Sequence, residues 1–257
     1  MSHISVAAQL YTIRSLQDST YDTFERLMFN LAEIGYQGIE ALGTHGFEAS
    51  EMGRALDKTR LQICSNHVAL SELETDLDRH IAFNQKIGNH VLVLPYLAEH
   101  QRPTTRPGWT QLAKKIDSIA SRCSEAGMML LYHNHDFEMQ ELEGKLLLDR
   151  LLEVPHLGLE LDLAWVVRGG RDPLSLLERY AGRCSRVHIK DLAPKGTNPG
   201  EQGWADVGFG TLDWPTLVPA AIEAGAEWLI VEHDHPAHPM ATVERSFTYL
   251  KRLLSQM

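Results

Sequence analysis

The residues of this chain best suited to chemistry recur in one kind of place, the end of a short apolar run. The runs close on Glu40, on Asn66-His67, and on His133-Asn134-His135-Asp136-Phe137-Glu138. Further along they close on Glu160-Leu161-Asp162, on His188-Ile189-Lys190-Asp191 and on Glu232-His233-Asp234-His235. A single His or Asp in such a place is ordinarily a helix cap or a loop anchor. Run after run ending in carboxylate or imidazole is a different pattern. Buried charges are costly unless paired or metal-bound, and converging acids repel each other without a cation. The pattern points to a divalent-metal site. Asp162, His188 and Glu232 are its strongest candidates, because each ends an apolar run and the three runs follow one another. Neighbouring strands lie about 4.8 Å apart, so side chains at matched heights can meet at one ion. Two carboxylates and an imidazole suit Mn²⁺, Mg²⁺, Co²⁺ or Zn²⁺, and ligand type does not choose among them.

These residues need elements that bring them together. The apolar runs are Ile4–Leu10, Tyr36–Ala41, Leu61–Asn66, His90–Pro95, Met128–His133, Leu157–Asp162, Arg186–Lys190 and Glu227–Glu232. Segments of helical period alternate with them: Thr20–Ile34, Phe47–Asp57, Ser71–Gly88, Trp109–Glu125, Lys145–Glu153, Asp172–Tyr180, Trp214–Gly225 and Thr242–Leu254. Asp172-Pro173 and Asp213-Trp214-Pro215 supply a cap and an early proline where two helices start. Strict strand–helix alternation with apolar strands predicts a parallel sheet covered by helices. Eight such units in 257 residues predict an α/β fold, a single (β/α)₈ TIM barrel over residues 1–257. A doubly wound open sheet would carry a Gly-rich turn after its first strand, and here that position reads Tyr-Thr-Ile-Arg. The long irregular stretch Leu192–Asp213, rich in Gly and Pro and holding Trp204, follows the seventh strand and so falls on the face where barrels carry function.

Bulk properties narrow the partners. A formal net charge of -10 argues against nucleic acid, which wants a basic face. Three scattered cysteines without a CxxC pair read as reduced thiols. Met1–Leu10 lacks the pattern of a signal peptide, and no run approaches a membrane span. A cytoplasmic protein with a small-molecule partner is the expectation, and a homo-oligomer is compatible with it.

The same residues carry a resemblance. The chain resembles the sugar phosphate isomerase/epimerase family within the xylose isomerase-like barrel superfamily. The matching stretches are Ala8-Gln9-Leu10-Tyr11-Thr12-Ile13-Arg14, Tyr132-His133-Asn134-His135-Asp136-Phe137-Glu138, Glu160-Leu161-Asp162-Leu163-Ala164-Trp165, Val187-His188-Ile189-Lys190-Asp191, Val207-Gly208-Phe209-Gly210 with Asp213-Trp214, and Val231-Glu232-His233-Asp234. They span nearly the whole chain in order. The resemblance implies one divalent ion held by Glu, Asp, His and Glu from strands five to eight. The last three carry over onto Asp162, His188 and Glu232. The first does not carry over cleanly, since relatives place that Glu where this chain has Leu131 and Tyr132. Glu138 is the nearest acid and is assigned as the fourth ligand, with His133 and His135 as rivals. Trp165 departs from relatives that have a histidine there, and suits stacking on a sugar face or packing under a loop.

The chemistry implied is removal of a proton from carbon next to a carbonyl, with a metal-stabilised enediolate. It makes an isomerase or epimerase acting on a sugar or keto sugar the first expectation. A keto-sugar or inosose dehydratase, a lyase, or a hydrolase of oxidised glycosides is the alternative. His133 is the leading acid/base candidate, followed by Glu138 and Glu232. Lys190 is placed to stabilise an oxyanion, or to pair with Asp191 or Glu160. Glu40, His67 and His135 are assigned to substrate contacts together with Trp165, and His235 and His238 to the loop alone. No Gly-rich phosphate cradle is present, which favours free keto sugars or inositol-like polyols, although Arg168 and Arg171 beside Gly169-Gly170 could hold an anion. Endonuclease IV shares the superfamily, but its chemistry would want a histidine at Trp165 and an Asp-x-His pair near Asp206. A non-catalytic sugar-binding barrel would not need so many strand-end acids.

Overall fold

Each of the eight apolar runs forms a strand, with ends within two residues of the predicted span. In the computed structural model, which describes residues 4–257, they are β1 (Ser5–Gln9), β2 (Gly38–Leu42), β3 (Gln62–His67), β4 (Val91–Leu94), β5 (Met129–His133), β6 (Leu157–Asp162), β7 (Arg186–Ile189) and β8 (Trp228–Val231). All pair in parallel with their sequence neighbours, and β8 closes on β1 from Ser5–Trp228 to Ala8–Val231. The result is the closed barrel that the alternation predicts. The reading of Met1–Leu10 as lacking a signal peptide falls partly outside the described residues. No helix among the described residues is long and apolar enough to cross a membrane.

The covering helices are α1 (Tyr21–Ile34), α2 (Ala49–Thr59), α3 (Leu70–Lys86), α4 (Arg106–Glu125), α5 (Leu147–Leu151), α6 (Leu163–Arg168), α7 (Pro173–Arg179), α8 (Trp214–Glu223) and α9 (Pro239–Leu254). Local chemistry sets their ends. Thr20 caps α1 by accepting from the Thr23 N–H at 3.3 Å, and Pro173 follows the Asp172 cap of α7. Two expectations are corrected. The predicted helix Lys145–Glu153 shrinks to α5, because Lys145–Leu146 pairs antiparallel with Glu141–Leu142. Glu143 and Gly144, at φ 50° and 71°, form the tight turn of that hairpin. In the other direction, α6 is an added helix immediately after β6, where the sequence pattern offered only a strand end.

Period two decides what faces the barrel interior. On β6, Leu157, Leu159 and Leu161 join the main core, while Gly158, Glu160 and Asp162 alternate with them. Gly158 is required by close approach, since a Cβ there would overlap the Leu131 side chain. Leu131 belongs to a small separate cluster with Val91 and Val93, and Ala7, Cys64, Trp228 and Ile230 form another. Thus the apolar interior gives way to polar side chains at the C-terminal ends of the strands.

The stretch predicted as one irregular loop, Leu192–Asp213, begins as a short antiparallel ribbon of Asp191–Leu192 with Trp204–Ala205. Asp191 organises it. Its buried carboxylate accepts from the N–H groups of Leu192 (2.8 Å), Gly208 (2.9 Å), Gly210 (3.2 Å) and Leu212 (3.1 Å), and from the Trp214 indole at 2.8 Å. Replacing Asp191 by Ala strands these buried donors, each worth about 1–3 kcal/mol when unsatisfied. Asp191→Ala is expected to lower unfolding stability by about 3 kcal/mol or more, read as a drop in the urea midpoint; an unchanged midpoint would show that the loop is held by other contacts.

Candidate active site at the barrel mouth

Strand register sets the site. Asp162 is paired directly with His188, and His133 with Glu160, while Glu232 follows β8 and donates its N–H to the Ile189 carbonyl at 3.2 Å. His188 is the central group and is fully buried. Its Nδ1 lies 3.0 Å from Glu232 Oε2 and 3.8 Å from Asp162 Oδ2. Its Nε2 lies 2.8 Å from Glu40 Oε2 and 3.1 Å from Glu160 Oε2. His133 Nε2 stands 3.4 Å from Asp162 Oδ2. The structure therefore brings Asp162, His188 and Glu232 together as the sequence predicts, and adds His133.

Two buried quartets share His188: His133, Asp162, His188 and Glu232 on one side, and Glu40, His67, Glu160 and His188 on the other. In each, one ligand atom per residue lies within 4.8 Å of all the others. Two atoms each about 2.1 Å from a common ion stand roughly 3–4 Å apart, which matches the separations in the first quartet. Buried His133 Nε2 and Asp162 Oδ2 make no hydrogen bond, although Lys190 Nζ stands 3.2 Å from the latter, so each can turn a lone pair to a cation. The residues fit a divalent cation. A neutral imidazole offers one lone pair, so if His188 Nδ1 binds metal, its Nε2–H is left to donate to Glu40 and Glu160. That arrangement fixes tautomer and ring orientation.

Glu138 does not join either quartet. It sits on the turn after β5, where its carboxylate accepts from the Tyr132 hydroxyl and from the His135 N–H at 2.8 Å. Both oxygens serve to fold that turn, and His133 occupies the corner that the resemblance gave to an acid. Glu40 is also corrected as a substrate contact. It lies beneath His188, accepting from Gln9 and from the Ser65 hydroxyl at 2.5 Å, and does not line the cavity. His67 does line it, with Nε2 2.8 Å from both Glu40 and Glu160. Lys190 pairs with neither Asp191 nor Glu160, but with Glu232 at 2.7 Å, Asp234 at 2.8 Å and Asp162 at 3.2 Å.

Above these groups opens a cavity of about 460 Å³. His133, His135, Lys190 and Glu232 line it, as does Trp165, whose ring meets that of Trp204 edge-on with centroids 4.8 Å apart. Tyr11, Tyr96, Arg168, Gln202, Asp234 and His235 also line it. His235 is thus more than the loop residue expected. The signal that could have found it is its place directly after Glu232-His233-Asp234.

The electrostatics follow from burial set against pairing. Burial would push the Lys190 ammonium down, but Asp162, Asp234 and Glu232 outweigh it and hold the pKa well above the usual value. Burial likewise opposes ionisation of Glu232, yet Lys190 and His188 keep it well below the carboxylate range. Asp234 differs: burial raises its pKa despite Lys190. His135 is held neutral by burial, with His133 and Lys190 adding repulsion.

The family model described as xylose isomerase-like TIM barrel matches residues 29–253. The chain belongs to that family. Among curated relatives, the rhizopine catabolism protein MocC of Rhizobium meliloti is 24% identical, over 89% of this chain and 81% of that protein. An inosose dehydratase of Clostridium botulinum is 23% identical over 91% of each chain. Among solved structures, a sugar phosphate isomerase/epimerase from Parabacteroides distasonis superposes with a TM-score of 0.80 at 17% identity, covering 97% of this chain and 98% of that one. The chain is thus similar to a protein named as a dehydratase by sequence and to one named as an isomerase/epimerase by fold.

Burial raises the Glu138 carboxyl to about 7, against the hydrogen bonds from Tyr132 and His135. Its folded pKa exceeds its unfolded one, so the stability it lends is complete below the unfolded pKa of about 4.3 and is lost as pH rises through the folded value. Glu138→Gln cannot ionise. The difference in unfolding free energy between wild type and variant is expected to shift toward the variant from pH 5 to pH 8, by an amount on the order of 3 kcal/mol. Parallel stability curves for the two proteins would show that Glu138 ionises freely.

Proposed function

We propose that this protein is a divalent-metal-dependent enzyme that takes a proton from the carbon next to the carbonyl of a sugar-like polyol or keto sugar. The observation that carries the reading is the convergence of His133, Asp162, His188 and Glu232 at the floor of the cavity, with His133 Nε2 and Asp162 Oδ2 making no hydrogen bond. A divalent ion held by these residues would supply Lewis-acid polarisation of the substrate carbonyl and its neighbouring hydroxyl.

The chain's own groups account for the rest. Lys190, kept cationic by its carboxylates, sets positive charge beside the place where negative charge develops on a substrate oxygen. Asp234 lines the cavity beside it with a pKa raised above the usual aspartate value by burial, which suits a group that takes and returns a proton. His133, the leading acid/base candidate on sequence grounds, is assigned to the ligand set instead. Trp165 and Trp204 present ring surface to a sugar face and limit water. Asp162 is held for its part by α6, whose first turn it caps through Oδ1, accepting from the Trp165 N–H at 2.8 Å.

Loss of a β-hydroxyl as the outcome is supported by the likeness to inosose dehydratases, which extends over 91% of both chains in the Clostridium botulinum comparison. Asp234, having taken a proton, can return it to a leaving hydroxyl, with the Lys190 ammonium beside it. The isomerase or epimerase outcome expected from sequence shares each residue up to the step at which the proton returns to carbon, and the fold likeness is compatible with it.

The test is proton exchange into solvent deuterium with inosose and a panel of keto sugars, on protein whose bound metal has been quantified. Exchange is expected to vanish with chelator and to return with a divalent ion. Asp162→Asn should lose bound metal and exchange together. Asp234→Asn should keep the metal and slow exchange by about 10²-fold. Exchange that survives complete metal removal would overturn the reading.

A further inference from the structure

Two permanent cations line the cavity, and they are spent differently. Lys190 is saturated by Asp162, Glu232 and Asp234. Arg168, the last residue of α6, is half-buried and has no carboxylate as a salt-bridge partner among the described residues. Its guanidinium carbon stands 3.7 Å from the centroid of the Trp204 ring and 5.1 Å from that of Trp165. A single protein acceptor engages it, the Gln202 carbonyl at 2.9 Å from Nη2. A guanidinium carries five N–H donors in a rigid fork matched to carboxylate and phosphate oxygens, so most of its donors remain free for whatever enters the cavity.

The segment facing Arg168 is held in costly backbone. Asn198 and Gln202 take left-handed conformations at φ 52° and 55°, which non-glycine residues avoid unless their surroundings demand it. Gly203, at φ 75°, runs alongside, where a Cβ would make ordinary contact with Arg168 Nη2 at 3.5 Å. This path presses the Gln202 carbonyl and the Trp204 ring onto one side of the guanidinium and fixes its aim. A neutral polyol needs hydrogen-bond partners but no such charge. Asp234, Asp136 and Asp162 act on Arg168 only from a distance, and a half-buried guanidinium with no direct ion pair gains from an anion seated on it. Lys190 addresses the same Trp204 ring from 5.0 Å, so the two cations lie within the reach of one sugar.

We propose that the substrate carries an anionic substituent, a carboxylate or a phosphate, that seats on Arg168 over Trp204 while its carbonyl end lies toward Lys190. This rests on the function proposed above and narrows the substrate class to sugar acids or sugar phosphates. It also sets the chain apart from relatives named for inosose. It runs against the preference for uncharged sugars that the absence of a Gly-rich cradle suggests, because a stacked guanidinium needs no such loop.

The probes are D-fructose, D-fructose 6-phosphate and 5-keto-D-gluconate, titrated calorimetrically into metal-loaded wild type, Arg168→Gln and Arg168→Lys. One anionic probe is expected to bind wild type about tenfold or more tighter than D-fructose, as a charge-assisted bidentate contact implies. Which anion it is separates carboxylate from phosphate. Arg168→Gln should abolish that advantage while weakening D-fructose far less than the anion, and Arg168→Lys should restore part of it. Melting temperatures check that both variants fold. The proposal is overturned if neither anion outbinds D-fructose, or if Arg168→Gln weakens all three probes alike, which would make Arg168 a prop for Trp204. Arg168-dependent anion binding without proton exchange on any substrate would sink the proposed reaction and leave this inference standing. Exchange on neutral sugars without anion preference would do the reverse.

Discussion

The architecture of this protein turns on the neutralisation of buried charge. Glu40, Glu160, Asp162 and Glu232 all lie buried at one end of the barrel, with His67, His133, His188 and Lys190 among them. Isolated, any of these carboxylates would be expensive to keep from water. Packed together they demand cations on all sides, and His188 is the member that reaches both groups. Its two ring nitrogens face opposite carboxylate pairs. The lower pair, Glu40 and Glu160, is compensated within the protein by His67, whose pKa the same carboxylates lift to about 9 against the effect of burial. The upper pair borders the cavity and draws on Lys190. One layer of the mouth is thus closed electrostatically, while the layer above it stays open to exchange one cationic partner for another.

Much of this was legible in the chain. Apolar runs alternating with helical segments define the barrel, and the register of parallel strands makes polar residues at run ends converge. Asp162, His188 and Glu232 could be named because each ends an apolar run and the three runs are successive, and the structure puts all three in phase with the inward positions of their strands. His133 obeys the same rule, two residues beyond Leu131 on β5. Glu138 was chosen over it because a resemblance called for an acid, and phase would have rejected that choice: Glu138 lies past the strand end and folds back onto Tyr132, which points outward. The alternation of faces was the better guide to the site here than residue type.

What the sequence did not disclose lies in the loops. The joint occupation of Trp204 by Arg168 and Lys190 depends on the path of residues 193–213, and that path depends on five donors meeting one carboxylate at Asp191. No periodicity encodes such a contact. The hairpin at Glu143-Gly144 was misread for a similar reason, since a leucine-rich segment has helical spacing whether or not a tight turn claims its first residues. Local turn chemistry outweighed periodicity in both places.

Helix α6 links two functions that are otherwise separate. It begins on Asp162, whose Oδ1 caps its first turn while Oδ2 faces His133 and Lys190, and it ends on Arg168. A helix is a stiff rod that rises about 1.5 Å and turns about 100° per residue. The offset between the two side chains is therefore written in backbone, not in adjustable rotamers. One inserted residue would swing the guanidinium roughly a quarter-turn around the axis and carry it off the indole. Within this barrel, a six-residue helix acts as a gauge of molecular length.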